Sequence, residues 1–259
     1  MVIRRFRNHV TEHNWFAVGI DVAVVVLGVF LGMQANNWNE DRLNRQRGDQ
    51  YRQRLIDDLD ANGEDFRQRA AYYQQVHDLG YAALQDLRRA TSRDPVAFLL
   101  EAFKAANILP RSTRRATYQE VVSAGALGSL GDESTRERIL IYYSGLDMTD
   151  VLTATLPPYR DRLRSIVPFE TQRAILGDCP EIDREDAQGR PDVFLNAQCR
   201  PKLDAEAAAS AASQIRSAPE IQRDLTRSIM DDELKINQFQ TMQRDAAKLR
   251  RALETTVRR

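Results

Sequence analysis

Cysteine and histidine are nearly absent, with two of the first and three of the second in 259 residues. Neither Cys179 nor Cys199 has a histidine nearby, and their spacing is not that of a zinc site, so no metal ligands are expected. No Ser-His-Asp or Cys-His constellation can be assembled, because His9 and His13 precede the long apolar stretch and His77 stands alone. Charge of one sign is also missing. Lys+Arg and Asp+Glu are 37 each, which speaks against a nucleic-acid-binding chain. Only four of the basic residues are lysine: Lys104, Lys202, Lys235 and Lys248. Twelve glycines and nine prolines exclude collagen-like and linker-like sequence. Aromatics at 7% require a core built on Leu, Ile, Val and Ala. The glycine-rich run Gly125–Gly131 lacks the Lys-Ser/Thr of a phosphate loop and reads as a helix end plus turn. No catalytic residue, cofactor or metal is expected, and the chain reads as a non-enzyme.

What the sequence does have is one long apolar run. Trp15 to Ala35 carries one formal charge, Asp21. About twenty such residues cross roughly 30 Å of hydrocarbon as a helix. The run is too long for the apolar segment of a cleaved signal peptide, and Met33-Gln34-Ala35 is a poor cleavage site, so residues 15–36 are expected to be a transmembrane signal anchor. Arg4, Arg5 and Arg7 precede it, whereas acidic and basic residues balance after it. Positive charge stays inside, so residues 1–14 are expected in the cytoplasm and residues 37–259 outside it. Trp15 and Trp38 bracket the span as interfacial anchors. Asp21, Val25, Gly28, Gly32 and Ala35 share one helical face at 4-3-4-3 spacing. Small residues there allow close approach of a second helix, and one polar group can add a hydrogen bond. A lipid-facing coincidence is the alternative. Asp21 lies about 9 Å inside the span, so it reads either as an intramembrane contact or as a carboxylate near enough to the surface to reach water.

Asn14-Trp15-Phe16, the acidic residue early in the span, Gly28-Val29-Phe30-Leu31-Gly32 and Asn36-Asn37-Trp38-Asn39-Glu40 resemble a bacterial family of uncharacterised membrane-anchored proteins, a domain of unknown function. Ala116–Gly125 followed by Tyr142-Tyr143 is similar to a second patch of that family. The resemblance covers the first forty residues and about thirty in the middle. It implies an inner-membrane protein with a helical body and brings no activity, cofactor or site residue.

Beyond the span, apolar residues at Leu55, Leu59, Phe66, Tyr73, Val76, Leu84 and Leu87 form a helical stripe, as one helix or as two broken near Gly63. Gly48, Gly63 and Gly80 interrupt it at about 1 kcal/mol each. Asp94, Asp132 and Asp204 are expected helix caps, Ser112 or Thr113 another, and Pro157-Pro158 a break. One helix is expected from Tyr159 to Leu176. Residues 177–203 read as an irregular loop whose Cys179 and Cys199 form a disulfide outside the cytoplasm, with two buried thiols as the alternative. Pro219 opens a last helix with Phe239, Met242, Ala246, Leu249, Leu253 and Thr256 at heptad-like spacing. Its Arg250, Arg251, Arg258 and Arg259 either meet lipid phosphates or form a solvated end. No strand-like alternation is seen.

The expected fold is all-α: a single N-terminal transmembrane helix, then an extended antiparallel helical bundle with long first and last helices. The expected role is an interaction or scaffold component of the bacterial inner membrane. Its partners would be the lipid bilayer and a second copy or another membrane protein, met through the transmembrane helix. A periplasmic ligand-sensing bundle signalling through a partner is the alternative.

Overall fold

The computed structural model describes residues 15–90, 94–185, 189 and 191–257. It is 79% helical with one two-stranded sheet, so the chain is mostly all-α. The first helix, α1 (Trp15–Leu87), is 73 residues long and continuous through Gly48, Gly63 and Gly80. At 1.5 Å per residue it spans about 110 Å. No proline occurs before Pro95, so nothing in the chain forces an earlier break.

Then follow α2 (Pro95–Lys104), α3 (Ala116–Ser123), a 3₁₀ turn (Ala126–Ser129) and α4 (Glu133–Ala154). The second half contains α5 (Pro158–Ile166), α6 (Phe169–Asp178), β1 (Ile182–Glu185), β2 (Pro191–Phe194), α7 (Ala205–Ser217) and α8 (Pro219–Val257). Three caps are as expected. The Asp94 carboxylate accepts from the Val96 and Ala97 amides, that of Asp132 from Thr135, and that of Asp204 from Glu206 and Ala207.

Three sequence expectations need correction. The helix expected over Tyr159–Leu176 is two helices, because Val167 precedes Pro168 and is held extended (φ −69°, ψ 127°). Neither Ser112 nor Thr113 caps α3, which begins after Arg115. The Asn62 amide instead holds both the N–H and the carbonyl of Arg114, at 2.7 and 2.8 Å, and keeps that backbone out of the helix. The loop of residues 177–203 contains an antiparallel hairpin, with Ile182 opposite Phe194 and Glu185 opposite Pro191. Four-residue strands are too short to show a period.

The register of the long helices is read from their contacts. Arg250 pairs with Asp60 at 2.7 Å, Ala246 lies against Gly63, and Ile229 against Gly80. The two numbers sum to about 310 each time, so α8 runs antiparallel to α1. Met242 meets Gly145 and Gln238 bonds to Thr149, so α8 is antiparallel to α4 as well. Helix α4 therefore runs parallel to α1. Their shared core centres on Phe239, whose ring lies 6.1 Å from Phe66 and 5.7 Å from Tyr73. A second cluster joins Leu84, α2, Tyr159 and Leu163, Ile175, α7 and Ile221–Ile229, with Cys179 buried inside it.

Two of the glycines in α1 have opposite roles. A Cβ on Gly48 would sit 2.7 Å from the Ser129 carbonyl oxygen. A Cβ on Gly63 would make an ordinary 3.9 Å contact with Ala246. Gly63→Ala is expected to stabilise by about 1 kcal/mol through helix propensity. Gly48→Ala is expected to destabilise by about 1–2 kcal/mol, because the turn must move. Urea unfolding of the two variants reads the opposite signs.

Candidate functional site

The first half of α1 is set apart by what fails to cover it. Every residue from Gly19 to Arg47 is exposed, including Val24, Val25, Val26, Leu27, Val29, Phe30 and Leu31. Among the described residues Gly48 is the first buried position. In water such a surface is costly, at about 25 cal/mol per Å² of apolar area. The segment meets the length and hydropathy of a membrane span. Asp21, Val25, Gly28, Gly32 and Ala35 lie on one side of it, and nothing approaches within 4 Å of a Cβ built on Gly28 or Gly32. Trp38 is exposed just beyond the apolar run; Trp15 belongs to the helix, but its side chain lies outside the described residues. Residues 36–47 continue the helix as a polar, solvent-facing stalk of about 18 Å. The tail of residues 1–14, Arg258 and Arg259 lie outside the described residues.

Of the four C-terminal arginines, Arg250 is placed on the body. Arg250 pairs with Asp60 and Glu254, and Asp60 lies about 37 Å along the helix from Ala35. Arg250 is thus a charged group on the body, distant from the end of the apolar run. Arg111, Arg114 and Arg115 are close together in the sequence, and two of them are paired within the body. Arg111 bonds to Asp65 and Gln68, and Arg115 to Asp147 and Asp150.

Cys179 and Cys199 form a disulfide, with Cα atoms 5.6 Å apart. Sequence separation alone left the thiols open; the bridge fits an oxidising compartment. It closes a segment that is bonded to the body at several further points. The fully buried Lys104 donates to the Cys179 carbonyl at 2.6 Å. The Glu181 carboxylate accepts from the Tyr72 hydroxyl at 2.7 Å and from Asn107 at 2.9 Å. Burial lowers the Lys104 pKa from its ordinary value while Glu181 opposes the shift. Burial, reinforced by Glu181, raises the Tyr72 phenol and keeps it protonated.

Asp231 and Asp232 are neighbours in the sequence, and adjacent helical positions point apart. The structure separates them. Asp231 is half-buried, whereas Asp232 is buried and bonded to Lys235 at 2.9 Å. The Lys235 ammonium also sits 4.8 Å above the Tyr73 ring. The missed signal was spacing, since 229, 232, 236 and 239 share the core face of α8. Burial pushes the Asp232 carboxyl up to about 6, against the pull of Lys235 and His77. A folded-state pKa above the unfolded value means stability is greatest below about pH 4 and is lost as pH rises through 6. From this group alone, unfolding free energy is expected to fall by roughly 1 kcal/mol between pH 5 and 7.5. Asp232→Asn should remove that slope in chemical-denaturation curves taken at the two pH values.

Surface clefts are lined mostly by charged and hydroxyl side chains. One of them, about 630 Å³, lies between Asp132, Thr135 and Arg138 on one side and Lys248, Arg251 and Thr255 on the other. Among the described residues no group of three or more His, Cys, Asp or Glu side chains is placed to hold a metal. No family model, no curated protein and no solved structure matches the chain.

Proposed function

We propose that the chain is a single-pass protein of the bacterial inner membrane, of the kind its Asn-Asn-Trp-Asn-Glu segment resembles. Residues 15–36 are its anchor, its N-terminus is cytoplasmic, and its body is an antiparallel helical bundle in the periplasm. It acts as an interaction or scaffold component and not as an enzyme. The observation that carries this reading is the uncovered apolar start of α1, a surface that lipid satisfies and water does not. The arginines before the span orient it, and the Cys179–Cys199 bridge suits an oxidising compartment. The sensing alternative receives less support, because the clefts seen among the described residues are open at the surface and carry charged side chains such as Arg138, Lys248 and Arg251.

The face of Asp21, Val25, Gly28, Gly32 and Ala35 is the proposed contact within the bilayer, with a second copy or another membrane protein. Crosslinking in native membranes tests it. Gly28→Ile with Gly32→Ile is expected to reduce the associated fraction at least about tenfold, by blocking close helix approach. Unchanged association would remove this face as the interface.

A further inference from the structure

Helix α1 carries one nearly uncharged face far past the apolar run. At about 100° per residue, the side that holds Asp21, Val25, Gly28, Gly32 and Ala35 continues through Asn39, Leu43, Gln46, Gln50 and Gln53. All of these residues are exposed. The stripe is about 48 Å long. Asp21 is its only charge, although the stalk around it holds Glu40, Asp41, Arg42, Arg45, Arg47 and Asp49. It lies opposite Gly48, Arg52, Leu55 and Leu59, the side that α1 buries against the body. A second long helix can therefore lie along it as far as Gln53 without meeting the body.

We propose that this stripe is the docking surface for the membrane-spanning helix of a different protein. That helix has a basic residue in its span opposite Asp21 and acidic residues just outside the bilayer opposite Arg42 and Arg47. The proposal rests on the anchored reading above and names the partner of its contact face. Charge argues against a second copy and describes the occupant that fits. A parallel copy sets Asp21 against Asp21 at one depth in hydrocarbon, where like charges are poorly screened. The chain has no basic residue between His13 and Arg42 to relieve them. A parallel copy also brings Arg42 against Arg47, because the two stand five residues apart on opposite flanks of the stripe, at the positions that meet across a parallel pair. Neither arginine is in an ion pair among the described residues, so both are open to a carboxylate. The next flanking pair, Asp49 and Arg54, is oppositely charged but is already bonded within its own chain, to Arg52 and Glu120. Repulsion at two levels of one stripe selects against self-pairing. A lysine or arginine in a facing helix neutralises Asp21 and removes the cost of an isolated carboxylate in lipid. Gly28 and Gly32 let that helix come close, since nothing lies within 4 Å of a Cβ at either position. Outside the bilayer, Asn39, Gln46, Gln50 and Gln53 offer it both donors and acceptors.

The test uses the full-length chain in native membranes, with a photo-crosslinking residue at Gln46 on the stripe or at Asn44 away from it. An adduct with a protein of another mass is expected from Gln46 and not from Asn44. Mass spectrometry of the adduct should place the crosslink just outside a span that contains a lysine or arginine. Asp21→Lys should lower the yield, taken per chain retained in the membrane, at least about tenfold, and Asp21→Glu should keep it. Asp21→Lys combined with an acidic residue at the basic position of the captured span should restore it. Arg47→Glu reads the occupant by sign. It lowers the yield for the proposed helix and raises it for a second copy, whose Arg42 it attracts. An adduct of twice the chain's mass overturns the proposal. So does undiminished yield with Asp21→Lys, a captured span without a basic residue, or no adduct at Gln46. Carbonate extraction is run beside these. A native chain retained in the membrane whose adduct is a second copy keeps the anchored reading and rejects the foreign helix. A native chain recovered in the soluble fraction rejects both.

Discussion

Phe239→Ala is expected to lower the unfolding free energy by about 4 kcal/mol, among the largest effects of any single core truncation in this chain. Phe239 is fully buried and is the ring on which the α1–α8 contact turns. It packs on Phe66 and Tyr73, and the Arg69 guanidinium lies 5.8 Å from its centroid. Truncation removes apolar area and opens a cavity between two long helices that have little freedom to close it. It also leaves the buried Arg69 with Phe66 alone for its ring contact, although its ion pair with Asp65 at 2.7 Å remains. Conservative change to leucine should cost less than half as much. Denaturant unfolding of the chain in detergent micelles measures both. A loss below about 1 kcal/mol for alanine would mean that Phe239 is not central to the core.

Removing the disulfide is expected to cost roughly 3 kcal/mol, the chain-entropy value for a loop of about twenty residues. The whole effect should appear with Cys179→Ser and Cys199→Ser together, and with reductant on the native chain. The loss should be local before it is global. Residues 179–199 also hang on Lys104, Tyr72 and Asn107, and on the Gln75 side chain, which accepts from the Leu195 amide at 2.8 Å. Limited proteolysis should therefore cut between residues 182 and 199 in the reduced chain before α1 and α8 separate. Simultaneous loss of all helical signal at the same midpoint shift would contradict that order.

The parts of the fold legible in the sequence are those whose physics is local. Asp94, Asp132 and Asp204 cap their helices because a carboxylate satisfies the first free amides whatever the rest of the chain does. The stripe from Phe239 through Met242, Ala246 and Leu249 to Leu253 is buried, since period alone puts those residues on one side; the Thr256 side chain lies outside the described residues. The apolar run was legible for the same reason. What stayed hidden depends on distant partners. Asn62 imitates a backbone neighbour for Arg114 across more than fifty positions, and so delays α3. Gly48 reads as a helix weakness until the Ser129 carbonyl is seen against it. Asp232 and Lys235 look like ordinary surface charges, and only the course of α8 over Tyr73 buries them. The hairpin is too short to carry a pattern of its own. Within the candidate site, the shared face from Asp21 to Ala35 follows from spacing.

The most direct measurement is carbonate extraction of membranes from cells expressing the full chain, paired with labelling of a tag after Arg259. The account predicts that the chain stays in the pellet and that the tag is reached from the periplasmic side of spheroplasts without lysis. Recovery of the chain in the soluble fraction, or a tag reached only after the inner membrane is opened, would contradict it.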